Sequence, residues 1–205
     1  MAEQVKSNTT SLIIFANAFV VGAVLMGFEM LGSRYLNPYF GGGIGTWAGL
    51  ISTVLVALTL GYLAGGAIVD RYPSSAVISI AVALAAIYLA VIPPLADPVM
   101  SWILETMGDG VMPILLASAI LCLVPLTLLG TFSPVAVRLL VRSTDEVGRV
   151  AGLVYGISTF GNVVGVLFTT FTLIPEMGSR AITYVFAAVL AVCAVSLFLV
   201  RRRTA

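Results

Sequence analysis

The chain is poor in charge. Of its 205 residues, 10 are Lys or Arg and 9 are Asp or Glu, 9% in all, where a soluble domain carries about 25%. Too few ionisable side chains remain to cover a water-facing surface, which excludes a water-soluble globule. Histidine is absent, and the only cysteines, Cys122 and Cys193, both fall inside apolar runs. No clustered His, Cys or carboxylate offers metal-ligand spacing, so neither metal nor cofactor is expected. Two cysteines so placed read as small apolar fillers rather than a disulfide framework. The net charge is only +1, and nucleic acid is not an expected partner.

What is present is apolar length. Hydrophobic residues make up 60% of the chain and the mean hydropathy is +1.12. Near-uncharged stretches predict six helices, at about 11–31, 47–69, 75–94, 111–132, 150–174 and 181–200. Each is close to the roughly 20 residues that cross a hydrocarbon core. Only helices and closed barrels satisfy their backbone in lipid, and barrel strands alternate every second residue, which these runs do not. The expected fold is all-α, one six-helix integral membrane domain over residues 1–205, surrounded by lipid.

Six spans put both termini on one side. That side carries Lys6, Arg71, Arg138, Arg142, Arg149, Arg201, Arg202 and Arg203, and the other carries Arg34 and Arg180. The positive-inside rule then sets both termini in the cytoplasm of a plasma (inner) membrane. Glu29, Asp97, Glu105, Asp109 and Glu176 lean to the outer side, which suits cations weakly and large anions poorly. Ala16-Asn17-Ala18 has the look of a signal-peptide cleavage site, but too short an apolar run precedes it, so the first helix is expected to be retained.

The segment 27–71 holds most of the electrostatic information: Glu29 and Arg34 near the outer boundary, then Asp70-Arg71 at the cytoplasmic end of the second helix. The turn 35–46 contains Asn37-Pro38 and Gly41-Gly42-Gly43 without the lysine of a phosphate loop. Tyr35, Tyr39, Phe40 and Trp47 read as an interfacial aromatic belt. Helix 3 is expected to stop at Pro93-Pro94, leaving an outer loop over 95–110 with a short interfacial helix. Pro125 should kink helix 4. Arg138 and Arg142 are expected on one side of a cytoplasmic surface helix.

Gly61 and Gly65 in helix 2, and Gly152, Gly156, Gly161 and Gly165 in helix 5, form small-residue faces suited to close helix packing and to oligomerisation. Helix 5 also carries Ser158, Thr159, Asn162 and Thr169. Asn162 reads as the sole amide or carboxyl near the middle of a span, where hydrocarbon penalises it unless it faces protein or water. It is either glue between helices or a group that contacts substrate.

Glu29, Arg34, Pro38-Tyr39-Phe40-Gly41, Trp47 and GYLAGGAIVDR, followed by FSPVAVRLL and GRVAGLVYGISTFGNVVGVLFTTFTLIPEMGSR, resemble the membrane portion of the spermidine-synthase-like, or fused major-facilitator/spermidine-synthase, membrane proteins. The resemblance implies one half of a major facilitator, with Gly65, Asp70 and Arg71 corresponding to a conformational latch. Pro73-Ser74-Ser75 stands where that latch usually continues into a glycine and basic residues. Ser179 replaces the aromatic expected between Gly178 and Arg180. Such proteins commonly carry a soluble aminopropyltransferase-like domain; no βαβ pattern in these residues would hold its nucleoside, so no enzyme activity is expected of them.

Two functions follow. In the first, the chain is a transport or binding subunit for a small molecule, cationic or polyamine-like, completed by a second copy. In the second, it is an integral scaffold that recruits a membrane or soluble partner, such as a separate synthase-like enzyme. Transport leads slightly, and an enzyme acting alone is a distant third.

Overall fold

The computed structural model describes the backbone of residues 2–204 and the side chains of residues 9–200. Lys6 and Arg201, Arg202 and Arg203 lie outside the described side chains. Six helices are long and apolar enough to cross a membrane: α1 Ala2–Phe40, α2 Ile44–Arg71, α3 Ser75–Met107, α4 Val111–Leu140, α5 Thr144–Glu176 and α6 Ser179–Thr204. The protein is thus an all-α, six-helix integral membrane bundle. In the orientation expected from the basic residues, the end bearing Arg34 and Arg180 is the outer one, and the term is used in that sense below.

α1 is the hub. Its Ala18, Phe28, Leu31 and Leu36 are fully buried, and it packs along α5 on one side and α6 on another. α3 runs against α6, and α2 against α4. Small residues permit the closest of these approaches. A Cβ on Gly161 would lie well inside 3.0 Å of the Phe19 carbonyl, and one on Gly165 well inside 3.0 Å of the Ala23 carbonyl, both on α1. Gly61 meets Thr127 and Gly130, and Gly65 meets Thr131 and Pro134, all on α4. Four of the six glycines expected to mediate association are therefore used within the chain. Gly152 and Gly156 differ: nothing lies within 4 Å of either.

Several helices run further than the proline pattern predicts. α3 passes through Pro93, Pro94 and Pro98 to Met107, so no loop or separate interfacial helix occupies 95–107. The buried row Ile92, Ala96, Met100 and Ile103 continues across the prolines and holds the helix against the bundle. Breaking it would expose still more backbone to lipid. α1 likewise continues through Pro38 to Phe40. The turn into α2 is then made by Gly41, whose φ of 71° suits a residue without a Cβ. At the other end, α4 stops at Leu140 and Val141 is extended, so Arg138 and Arg142 do not share one surface helix. Ser143 and Glu146 form a capping box that starts α5.

Pro125 perturbs α4 as expected, through a π turn over Ala119–Leu123 rather than a simple break. In that register Pro125 has no N–H to give the Ile120 carbonyl. The Tyr88 hydroxyl of α3 donates to that carbonyl instead, at 2.6 Å. α5 repeats the arrangement: a π turn over Thr169–Leu173, with Pro175 where the donor to the Thr170 carbonyl would stand.

At the outer end Arg180 of α6 pairs with Asp97 of α3, and the Tyr35 hydroxyl meets that of Thr183 at 2.9 Å. Tyr35 and Phe40 are buried, so these two rings belong to the bundle and not to an interfacial belt.

Candidate functional site

Two cavities lie along α1 where α2 and α5 flank it: α1 gives the polar Ser33, Arg34 and Asn37 to the outer one and the apolar Val21 and Leu25 to the inner. The outer cavity, about 260 Å³, is lined by Met30, Ser33, Arg34 and Asn37 of α1, Gly42, Thr46 and Trp47 of the turn and α2, and Thr170 and Ile174 of α5. Arg34 is exposed and has no ion pair or hydrogen bond among the described residues. Ser33 donates its hydroxyl proton to the Met30 carbonyl at 2.7 Å, and Thr46 donates to the Phe40 carbonyl at 3.3 Å. The Thr170 hydroxyl oxygen is buried with no partner.

The inner cavity is only about 20 Å³, room for a single water. Val21 and Leu25 of α1, Tyr62 of α2, Ser133 of α4, and Ser158 and Asn162 of α5 are among its walls. With the Asn162 amide oriented to use both donors, its nitrogen gives hydrogen bonds to the Gly22 carbonyl at 2.8 Å and the Ser158 carbonyl at 3.2 Å. The first of these bonds ties α5 to α1 directly. Tyr62 and Tyr155 meet edge to face, with ring centroids 6.2 Å apart, and bridge α2 and α5 at this level. Thr159 points away from the site and is exposed.

Between the cavities stands Glu29. It is only 7% exposed and has no ion pair or hydrogen bond among the described residues. Five residues apart on α1, Glu29 and Arg34 could pair with each other or each with another polar group near the outer surface; among the described residues neither does. Depth follows from its neighbours. Gly27 lies against Thr169 and Phe186, each seven residues from the outer end of its helix, at Glu176 and Ser179. At 1.5 Å per residue that is roughly 10 Å, so Glu29, two residues further out, sits roughly 7 Å inside. The residue therefore lies inside the helix ends rather than at them, and what exposure it keeps includes its carboxyl oxygens. Asp70 and Arg71 are exposed at the far end of α2, remote from both cavities.

Asn17 is a second amide buried inside a span, and the sequence reading passed over it. It donates to the Ile13 carbonyl at 2.8 Å and to the Ser196 hydroxyl at 3.0 Å, tying α1 to α6 as Asn162 ties α5 to α1. An asparagine within an uninterrupted apolar run was signal enough. Tyr88 and Thr170 carried less signal, because their importance arises only from prolines on the π turns. Among the described residues no group of His, Cys, Asp or Glu is placed to hold a metal ion. Comparison with protein-family models, curated proteins and solved structures found no match, so none of the three ties this six-helix bundle to the spermidine-synthase-like or major-facilitator proteins.

Proposed function

We propose that the chain is a membrane transport or binding subunit for a small solute, which moves along the face of α1 covered by α2 and α5. One observation carries this reading. Leu25, Glu29 and Ser33 follow at helical i, i+4 spacing. Leu25 lines the inner cavity, Ser33 lines the outer one, and the unpartnered, buried Glu29 lies between them. A carboxyl inside a span with no partner is costly in structural terms. A role in accepting a solute or a cation accounts for its place. The geometry of one facilitator-like half, completed by a second copy, fits this reading, since α2 and α5 leave the largest share of their surfaces uncovered.

Purified protein in proteoliposomes tests the proposal through uptake of small labelled solutes. Glu29→Gln should reduce uptake by about tenfold at unchanged protein level, the worth of one lost bond to a charged group. Unchanged uptake in Glu29→Gln removes the path. The scaffold reading rests on a different feature, the open row Gly148, Gly152 and Gly156 on α5. It gains if bulky substitutions there release a bound protein while uptake is nil in every preparation.

A further inference from the structure

We infer that the outer cavity is a binding site for a small zwitterion, taking a carboxylate or phosphate at Arg34 and an ammonium at the Ser33 and Thr46 hydroxyls. The inference names the ligand class of the site on which the transport reading rests.

Donors and acceptors decide the class. The single charged group in the lining is Arg34, a permanent cation with five N–H donors and no partner of its own. An anionic group is the matching ligand. The remaining polar groups are mixed: Asn37 brings an amide with both donors and an acceptor oxygen, and Trp47 an indole N–H, while two hydroxyls act only as acceptors. Ser33 and Thr46 have each given their proton to a backbone carbonyl, so toward the cavity they offer lone pairs only. The Thr170 hydroxyl is buried and unpartnered.

Two residues of the lining also have backbone carbonyls that a proline leaves without its helical donor. Pro38 cannot donate to the Arg34 carbonyl four residues earlier, and Pro175 cannot donate to Thr170 in the π register. Both freed carbonyls belong to residues that line the cavity. In α4 the equivalent vacancy is filled by the Tyr88 hydroxyl, whereas among the described residues no side chain does the same for Thr170.

A donor-rich ammonium suits the lone pairs of Ser33 and Thr46. No carboxylate is in the lining, so a polyamine would meet the Arg34 charge with nothing to offset it. The volume of about 260 Å³ falls just below drug-sized pockets and suits an amino-acid-sized ligand. The same chemistry is presented by a free amino acid and by the phosphoethanolamine headgroup of a lipid.

Calorimetric titration of the purified full chain in detergent separates the cases. The probes are L-leucine, leucinamide (ammonium only), N-acetyl-leucine (carboxylate only), glycerophosphoethanolamine and spermidine. L-Leucine should bind at least about tenfold more tightly than either capped analogue, the worth of one charge-assisted hydrogen bond. Arg34→Gln should erase the preference for L-leucine over leucinamide, and Arg34→Lys should restore part of it. Ser33→Ala should weaken L-leucine several-fold and leave N-acetyl-leucine unchanged, with Ser33→Thr recovering the loss. Thermal unfolding of each variant at the wild-type temperature shows that folding is intact. Glycerophosphoethanolamine binding without L-leucine binding keeps the zwitterion, assigns it to lipid and removes the solute path. Binding of spermidine but of neither zwitterion overturns the inference and leaves transport standing. Absence of binding by every probe also overturns it, whatever the uptake assay shows.

Discussion

Gly161→Ala tests whether the glycine face of α5 is internal. The added methyl would fall well inside 3.0 Å of the Phe19 carbonyl, and that atom is backbone in the middle of α1, which cannot rotate aside. α5 must therefore retreat. A shift of roughly 1 Å stretches the 2.8 Å bond from Asn162 to the Gly22 carbonyl past hydrogen-bonding range. Overpacking of this kind costs about 1–3 kcal/mol, and a lost interhelical bond in a membrane protein about 1 kcal/mol more. The expected destabilisation is about 2–4 kcal/mol. Gly156→Ala serves as the control on the same helix, since its Cβ meets nothing within 4 Å; it should be neutral or slightly stabilising through helix propensity. Reversible unfolding in detergent, with native mass measured on the same samples, reads both. If Gly161→Ala unfolds like wild type but loses self-association, the face lies between chains and the helix arrangement argued here is wrong.

Tyr88→Phe should cost about 1 kcal/mol, because it leaves the part-buried Ile120 carbonyl without a donor. Pro125→Ala returns an N–H to that turn, so a double-mutant cycle should show the two changes coupled, and strict additivity would refute the link. Arg180→Gln should change stability by no more than about 1 kcal/mol, since both partners of the Asp97 pair are more than half exposed; a larger loss in unfolding experiments would contradict that reading. Cysteine labelling should reach Glu105→Cys from outside and Asp145→Cys only after permeabilisation, both positions being exposed and the native Cys122 and Cys193 buried. The opposite pattern inverts the topology.

The number and nature of the spans were legible because they depend on summed hydropathy, a property that local detail does not disturb. The ends were not legible where proline was taken as a stop. In water, a helix interrupted by Pro93-Pro94 can hand its freed carbonyls to solvent. In lipid it has no such partner, and the apolar row through Ile92, Ala96, Met100 and Ile103 makes continuation the better solution. The glycine spacing correctly marked close approach but not the partner. Helical periodicity says that Gly161 and Gly165 share a face, while only the bundle shows that α1 is what covers it. Asn162 was legible as a costly group needing a partner, and Asn17 equally so, yet the latter was weighed only as part of a cleavage motif.

The ligand class shows the same limit in sharper form. Counted along the sequence, the outer side holds more acid than base, and that balance favoured a cation. Folding redistributes it. Asp97 is taken up by Arg180, Glu29 is buried beneath the cavity, and Arg34 is left as the one charge in the lining. A net charge summed over a face cannot predict this, because pairing and burial remove charges selectively. The prolines act in the same direction. Read locally, Pro38 and Pro175 are defects in two helices. Across α1 and α5 they withhold donors from Arg34 and Thr170, two residues that line one cavity with both acceptor hydroxyls and an unpaired cation in it. Complementarity to that lining requires both signs on one small ligand, and neither the net charge of the chain nor any single span contains that requirement.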